Sequence, residues 1–333
     1  MKAVVITSPG SPKVLQVQEV DEPQLQDGEV LIKIEATAIN MVDTFQRKGL
    51  NRLRIGASPY LGLECSGTIE AVGTNVSRWK IGDQVCALLS GGGYAEKVTV
   101  PSVQLLPVPP NISLKDAAFF PKAAYTVWST VFMISKLSPG QSFLVHGGST
   151  GIGTFAIQIA KYYGIKVFTT AVSEEELAFC KDIGADVCIN CKTEDFVVRV
   201  NEETQGKGVD VILDSIGEGY YKPNLESLNV SGRLFLSVGG KFLMFGYIGD
   251  TRPKTNLVTL LTKHVTIQLI DLHGKSIENK GEIVREVEKN VWPAIDCGKV
   301  KPVVYKSFPL SEASEAHSLM ESSKHMGKIL LFP

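Results

Sequence analysis

The chain has 333 residues, 44% hydrophobic and 21% charged, and its 34 basic and 35 acidic side chains leave a net charge of -1. That length exceeds one comfortable hydrophobic core, so two domains are expected, and the ordinary composition excludes a disordered or fibrous chain. The balanced charge offers no footprint for nucleic acid; no apolar run reaches the roughly 18 residues of a membrane helix and no signal-peptide pattern follows Met1, so no membrane partner and a cytoplasmic location are expected.

In chain order, the first hundred residues alternate short apolar runs with turn signals, as in Val30 to Ile34, Gly67 to Gly73 and Asp83 to Leu88, which predicts a β-rich domain. Past Pro107, Pro109 and Pro110 the pattern turns helical. Ser113 reads as an N-cap before Leu114 to Phe120, and a second apolar helix is expected from about Ala123 to Ile134. From Ser142 the grammar becomes strand, turn, helix, repeated. Strands are expected at Phe143 to His146, Lys166 to Thr170, Asp186 to Ile189 and Val209 to Leu213, with helices at Gly151 to Tyr163 and Glu174 to Ile183. Helices of this length between apolar strands are the signature of a doubly wound parallel sheet. The final segment, Val303 to Tyr305, a helix from Ser311 to Ser322 and Lys328 to Phe332, breaks that rhythm. Six cysteines are too few and too scattered for a disulfide framework; Cys188 and Cys191 have C-x-x-C spacing but no second ligand pair nearby, so reduced thiols and no metal are expected.

Between the strand ending at His146 and the following helix lies the turn Gly147-Gly148-Ser149-Thr150-Gly151-Ile152-Gly153. Glycines there let the backbone turn sharply, approach a pyrophosphate and present helix N-terminal amides to it, although glycine-rich turns also serve as plain connections. The strand-turn-helix context points to a dinucleotide. No acid stands at Thr170, Ala171 or Val172 to bind a ribose 2′-hydroxyl. Ser173 can donate to a 2′-phosphate and Lys192 adds charge. Glu174, Glu175 and Glu176 oppose a phosphate, and they also suit the positive end of a helix dipole. On these residues NADPH is favoured over NADH.

Several blocks in order now carry a resemblance: Met1-Lys2-Ala3-Val4, Gly28 to Lys33, Ala38-Ile39-Asn40 with Asp43, Leu61 to Gly67, Gly82-Asp83 with Val85, the glycine turn, and Asp214-Ser215-Ile216-Gly217. End to end the chain resembles the medium-chain dehydrogenase/reductase superfamily, and within it the zinc-independent quinone oxidoreductases, particularly the tumour-suppressor-induced branch. The resemblance implies a GroES-like β-rich catalytic domain over 1–121 plus 300–333, a doubly wound Rossmann domain over 122–299, and a homodimer. Zinc-dependent relatives carry cysteine where Asn40 stands, histidine where Leu63 stands, and a four-cysteine loop after the region near Gly91 to Gly93. None of these ligands is present.

By the same resemblance, Asn40 sits by the nicotinamide with Asp43 near it, though the two also read as a loop-capping pair. Thr126 approaches the nicotinamide half; Gly148, Ser149, Thr150, Gly151, Ile152 and Gly153 hold the pyrophosphate; Ser173 and Lys192 meet the 2′-phosphate; Ser215 lies beside the adenosine ribose. Gly246, Tyr247 and Ile248 pass under the nicotinamide, and Lys328 reaches the cofactor. Thr126 also reads as a helix back-bonding threonine.

Three departures stand out. Asn51 occupies the place of a substrate-loop tyrosine, so the carbonyl partner is sought in Tyr60 or Tyr125. Cys191 replaces a 2′-phosphate tyrosine, and the glutamates replace a lysine of the following helix. The run Leu234 to Gly246 is longer than usual. The implied activity is NADPH-dependent quinone reduction. The alternatives are an enal, enone or enoyl-thioester reductase, in which a side chain must protonate carbon, and an NADPH-binding interaction or structural protein with little turnover.

Overall fold

The computed structural model describes residues 1–50, 57–217, 219–237, 261–262, 264, 266–270 and 275–333. The chain forms two compact units: Met1–Tyr125 with Lys275–Gly298 and Pro302–Pro333, and Thr126–Gly274 with Lys299–Lys301.

The first unit opens with β1 (Lys2–Ile6) and β2 (Leu15–Glu19), an antiparallel pair. β3 (Glu29–Ala38) buries Val30, Ile32 and Ile34 while Lys33 and Glu35 face solvent, the period-two pattern of a strand with one buried face. After α1 (Met41–Arg47) come β4 (Glu64–Val72), β5 (Gln84–Leu88), β6 (Lys97–Pro101) and β7 (Leu105–Pro107). The sequence reading of 113–134 as two helices is corrected. Ser113 caps only a 3-10 turn, Asp116–Phe119, which runs into α2 (Phe120–Val127) and then a π-helical segment, Trp128–Ile134. Hydroxyls account for part of this: Thr130 Oγ1 bonds the Thr126 carbonyl at 2.7 Å, and Ser135 Oγ bonds that of Thr130 at 2.8 Å, both competing with the regular ladder.

The second unit is a parallel sheet. Its strands are β8 (Ser142–His146), β9 (Lys166–Ala171), β10 (Val187–Asn190), β11 (Val209–Asp214), β12 (Leu228–Ser237) and β13 (Thr266–Ile270), with α3 (Gly151–Tyr162), α4 (Glu174–Asp182), α5 (Phe196–Glu203) and α6 (Tyr221–Ser227) between them. The spatial order is β10-β9-β8-β11-β12-β13, which reverses direction at β8 and β11. β8 and β9 are buried on both faces apart from their first residues, as interior parallel strands require. Their core joins Leu144, Phe168, Ile189 and Ile212 to Phe196, Val200 and Leu225 from the helices.

The chain then returns to the first unit through α7 (Ile277–Asn290), α8 (Trp292–Asp296), β14 (Val304–Pro309), α9 (Ala313–Ser322) and β15 (Lys328–Phe332). β14 pairs with β15, and β15 lies antiparallel to β3, completing the sheet β14-β15-β3-β4-β5-β7. The unit boundaries differ from the expected 121/122 and 299/300. Residues 275–298 belong with the β-rich unit because Lys280 bonds Ser90 at 3.0 Å and the Trp292 indole bonds the Pro107 carbonyl at 2.8 Å. Among the described residues no helix is long and apolar enough to cross a membrane.

Candidate active site

In the second unit the glycine turn leaves the end of β8 and enters α3. Thr150 is the N-cap: its hydroxyl accepts from the Gly153 amide at 3.1 Å and donates to the Gly147 carbonyl at 2.8 Å. A Cβ on Gly148 would stand 2.0 Å from Thr169 Oγ1, and one on Gly153 2.3 Å from the Gly147 carbonyl oxygen. Only glycine permits this close passage. The result is a tight turn with no Cβ at Gly148 or Gly153, and it fits the pyrophosphate of a dinucleotide. Ser215 stands beside it, its hydroxyl 3.9 Å from where a Gly147 Cβ would be.

The loop bearing Ser215 is shaped by Asp214, whose Oδ1 accepts from the amides of Ile216 at 2.7 Å and Gly217 at 3.0 Å. Asn224 links Asp214 to His146, bonded at 3.0 and 2.6 Å, and His146 Nδ1 meets Thr170 Oγ1 at 3.0 Å. Burial pushes the His146 pKa below its usual value. His146 thus ties the end of β8 to its neighbours on both sides, a role the sequence reading did not anticipate.

At the expected 2′-phosphate position the structure is more restrictive. Ser173 is the N-cap of α4 and accepts from the Glu176 amide at 3.3 Å, which engages the hydroxyl expected to bind phosphate. Glu176 also accepts from Ser149 Oγ at 2.7 Å, and Glu174 from Asn190 Nδ2 at 2.7 Å. Lys192 is exposed, with its amide on Asn190 Oδ1 at 3.1 Å. Cys191 Sγ bonds the Ala171 carbonyl at 3.1 Å. Among the described residues, no group of three His, Cys, Asp or Glu side chains is placed to hold a metal ion.

In the first unit Asn40 and Asp43 do form a helix cap: Asp43 Oδ2 accepts from the Asn40 amide at 2.7 Å at the start of α1. They also belong to a buried network. Asn40 Nδ2 donates to Glu64 Oε1 at 2.9 Å and to the Ala38 carbonyl at 3.1 Å. The same Glu64 oxygen takes Lys328 Nζ at 2.5 Å, while Glu64 Oε2 takes the Lys122 amide at 2.9 Å. Lys328, expected to reach the cofactor, is paired with Glu64, with 3% of its side chain exposed. A buried ammonium needs a counter-charge, and Glu64 supplies it.

Behind Asp43 runs a second chain. Arg47 donates through NH1 to His317 Nδ1 at 3.1 Å, so His317 carries its proton on Nε2 and donates to Tyr94 Oη at 3.0 Å; Tyr94 donates to Asp43 Oδ2 at 3.3 Å. Arg47 is anchored by Glu321 at 2.6 Å and by the Gly10 carbonyl at 3.0 Å. Burial, with the Arg47 charge adding to it, pushes His317 down to about 3 and keeps it neutral. Burial also raises Asp43 to about 6 against the Lys122 charge, and lowers Lys122 to about 8 against Asp43 and Glu64.

Of the remaining expected residues, Thr126 is buried with its hydroxyl unpartnered among the described residues; the back-bonding threonine is Thr130. Tyr125 is buried with its hydroxyl likewise unpartnered, and burial raises its pKa well above the usual value. Tyr60 is half-buried, and its carbonyl takes the Gly92 amide at 2.9 Å. Asn51, Gly246, Tyr247, Ile248 and the long run beyond 237 lie outside the described residues. The sequence reading missed Glu64, Lys122 and His317. For the first two a signal existed: a charge inside an otherwise apolar run, Leu61 to Cys65 and Ala117 to Val127.

Family models agree with this architecture. An alcohol dehydrogenase GroES-like domain matches residues 26–110 and a zinc-binding dehydrogenase domain matches 183–331. The quinone oxidoreductase of Rattus norvegicus is 32% identical over 99% of this chain and 97% of its own length. The 2-haloacrylate reductase of a Burkholderia species is 29% identical over 99% and 98%. The crystal structure of Escherichia coli quinone oxidoreductase complexed with NADPH superposes with a TM-score of 0.87 at 27% identity, covering all of both chains. The chain is an oxidoreductase and belongs to the zinc-independent quinone oxidoreductase family of the medium-chain dehydrogenases/reductases.

Proposed function

We propose that the protein reduces quinones with hydride from NADPH. The observation that carries the reading is the glycine cradle at Gly148 and Gly153, which a single Cβ would fill, on a chain whose Asn40 and Leu63 offer no ligands for zinc. Bound there, NADPH would supply the hydride, and the chain's residues supply binding and orientation. The turn and the N-terminal amides of α3 would hold the pyrophosphate, and Lys192 would meet the 2′-phosphate. Asn40, clamped by Glu64 and Asp43, would orient the nicotinamide side. A quinone suits such chemistry because its carbonyls accept hydride and protons readily. Purified protein should consume NADPH when given ortho- or para-quinones, and absence of turnover across a panel of both overturns the reading.

A second reading, reduction of an enone or another activated alkene, is favoured by the Tyr125 hydroxyl, unpartnered among the described residues, and by the similarity to a 2-haloacrylate reductase. Turnover of enones in preference to quinones would select it. Tight NADPH binding without consumption by any acceptor would point to an interaction role instead.

A further inference from the structure

Four ionisable side chains gather around β4 and the start of α2 with almost no exposure: Asp43 at 0%, Glu64 at 0%, Lys328 at 3% and Lys122 at 4%. Four of their six side-chain polar atoms are hydrogen-bonded. Glu64 accepts from Asn40, Lys328 and the Lys122 amide, and Asp43 Oδ2 accepts from Asn40 and Tyr94. What is left over is specific. Lys122 Nζ and Asp43 Oδ1 are each buried with no hydrogen-bond partner among the described residues. Tyr125, three residues on from Lys122 and so on the same face of α2, also keeps an unpartnered hydroxyl, and so does Ser66, on the same face of β4 as Glu64.

An ammonium with unused N–H donors is expensive to bury, by several kcal/mol for an unpaired charge. Here the cost is reduced by nearby opposite charge without being removed by a bond. Asp43 is the strongest charge acting on Lys122, followed by Glu64, with Lys328 opposing both. Lys328 differs in being spent on Glu64. Lys122 therefore keeps free donors, Asp43 keeps a free acceptor, and the group they lack is one polar atom that takes a hydrogen bond from the ammonium.

We propose that Lys122 is a catalytic residue of the reduction: its ammonium bonds the oxygen on which negative charge develops and gives that oxygen a proton, while Asp43 holds the ammonium in place. This rests on the reductase reading above. Quinone plus hydride gives the hydroquinone monoanion. One N–H bond of Lys122 then breaks as the O–H bond forms, leaving hydroquinone and a neutral amine that recovers its proton from solvent. Burial, by lowering Lys122 to about 8, makes it charged at neutral pH yet a far better acid than an ordinary lysine.

Two variants and one titration test this. Lys122→Arg keeps the cation but does not release its proton at these pH values, and Lys122→Met removes both. Each should lower kcat about 100-fold, within the usual range for a general acid, while NADPH affinity by fluorescence titration changes less than about twofold. In the wild type kcat should fall above about pH 8, and that limb should vanish in Lys122→Arg. Independently of activity, the ¹⁵N-lysine resonance that disappears in Lys122→Arg should titrate near 8 rather than near 10.5. Wild-type kcat with an unchanged alkaline limb in Lys122→Arg, or an ordinary titration, overturns the proposal while leaving the reductase reading intact. If Lys122→Met does not fold, Lys122→Arg and the titration still decide. A wild-type protein that turns over no acceptor removes both.

Discussion

The glycine turn of the second unit and the buried charges around Glu64 in the first are built on opposite plans. The glycine turn of the second unit works by leaving side chains out: its polar atoms are backbone amides, its cap is one threonine, and its close approaches exist because Gly148 and Gly153 have no Cβ. The region around Glu64 in the first unit works by packing charge in. Asp43, Glu64, Lys122, Lys328, Arg47 and His317 are all buried there. The difference teaches where each half is fragile. The turn fails by steric intrusion and keeps the fold's electrostatics untouched, whereas the charged region fails by imbalance, since removing one partner leaves another buried and unpaired.

The strongest test of that contrast is Lys328→Met. It strands Glu64 in the interior and should cost about 3–5 kcal/mol of unfolding free energy, measured by urea denaturation. Adding Glu64→Gln should restore much of the loss, and a single variant as stable as the wild type would mean that the pair carries no such tension. Gly153→Ala comes next. Its methyl would press on the Gly147 carbonyl at 2.3 Å and the Gly148 backbone at 2.8 Å, with no flexible side chain to yield. A cost of about 1–3 kcal/mol is expected for such overpacking, appearing as weaker NADPH binding in a fluorescence titration. Unchanged affinity would take the cofactor away from this turn.

The smallest effect, taken per pH unit, is a pH dependence. His317 titrates near 3 in the fold against an ordinary 6.5, so its contribution to stability is full above pH 6.5 and is lost as pH falls toward 3. The slope is at most about 1.4 kcal/mol per pH unit for one proton. Asp43 pulls the other way: raised from 3.8 to about 6, it contributes most when protonated, and that contribution is lost as pH rises through 6. Comparing wild type with His317→Gln isolates the histidine. The variant should be less stable at pH 7 and show a flatter acid limb; parallel limbs would mean that His317 is not held neutral by burial.

How much of this was legible beforehand follows from the same contrast. The strand, turn and helix around Gly147 to Gly153 are contiguous, so a local pattern exposed them; Ser173 was read as a 2′-phosphate donor, and its hydroxyl also caps α4 through the Glu176 amide. Asn40 and Asp43, three residues apart, were legible as a cap. That Lys328 bonds Glu64 was not legible because the two lie 264 residues apart, and His317 was invisible because Tyr94 lies 223 residues away. The helix after Pro121 was drawn too regular because hydroxyl bonds to the main chain compete with the ladder in ways a hydrophobic period does not register.

The sequence by itself determined the β-rich beginning, the parallel α/β middle, the site of the glycine turn and the lack of zinc ligands at Asn40 and Leu63, because periodicity, turn chemistry and ligand type are properties of neighbouring residues. Tertiary structure alone decided that β15 lies against β3, that residues 275–298 pack with the first unit, and which buried charges are paired and which keep free atoms. The physical reason is that an ion's energy depends on what surrounds it in space, and in this chain those surroundings are assembled from both ends of the sequence.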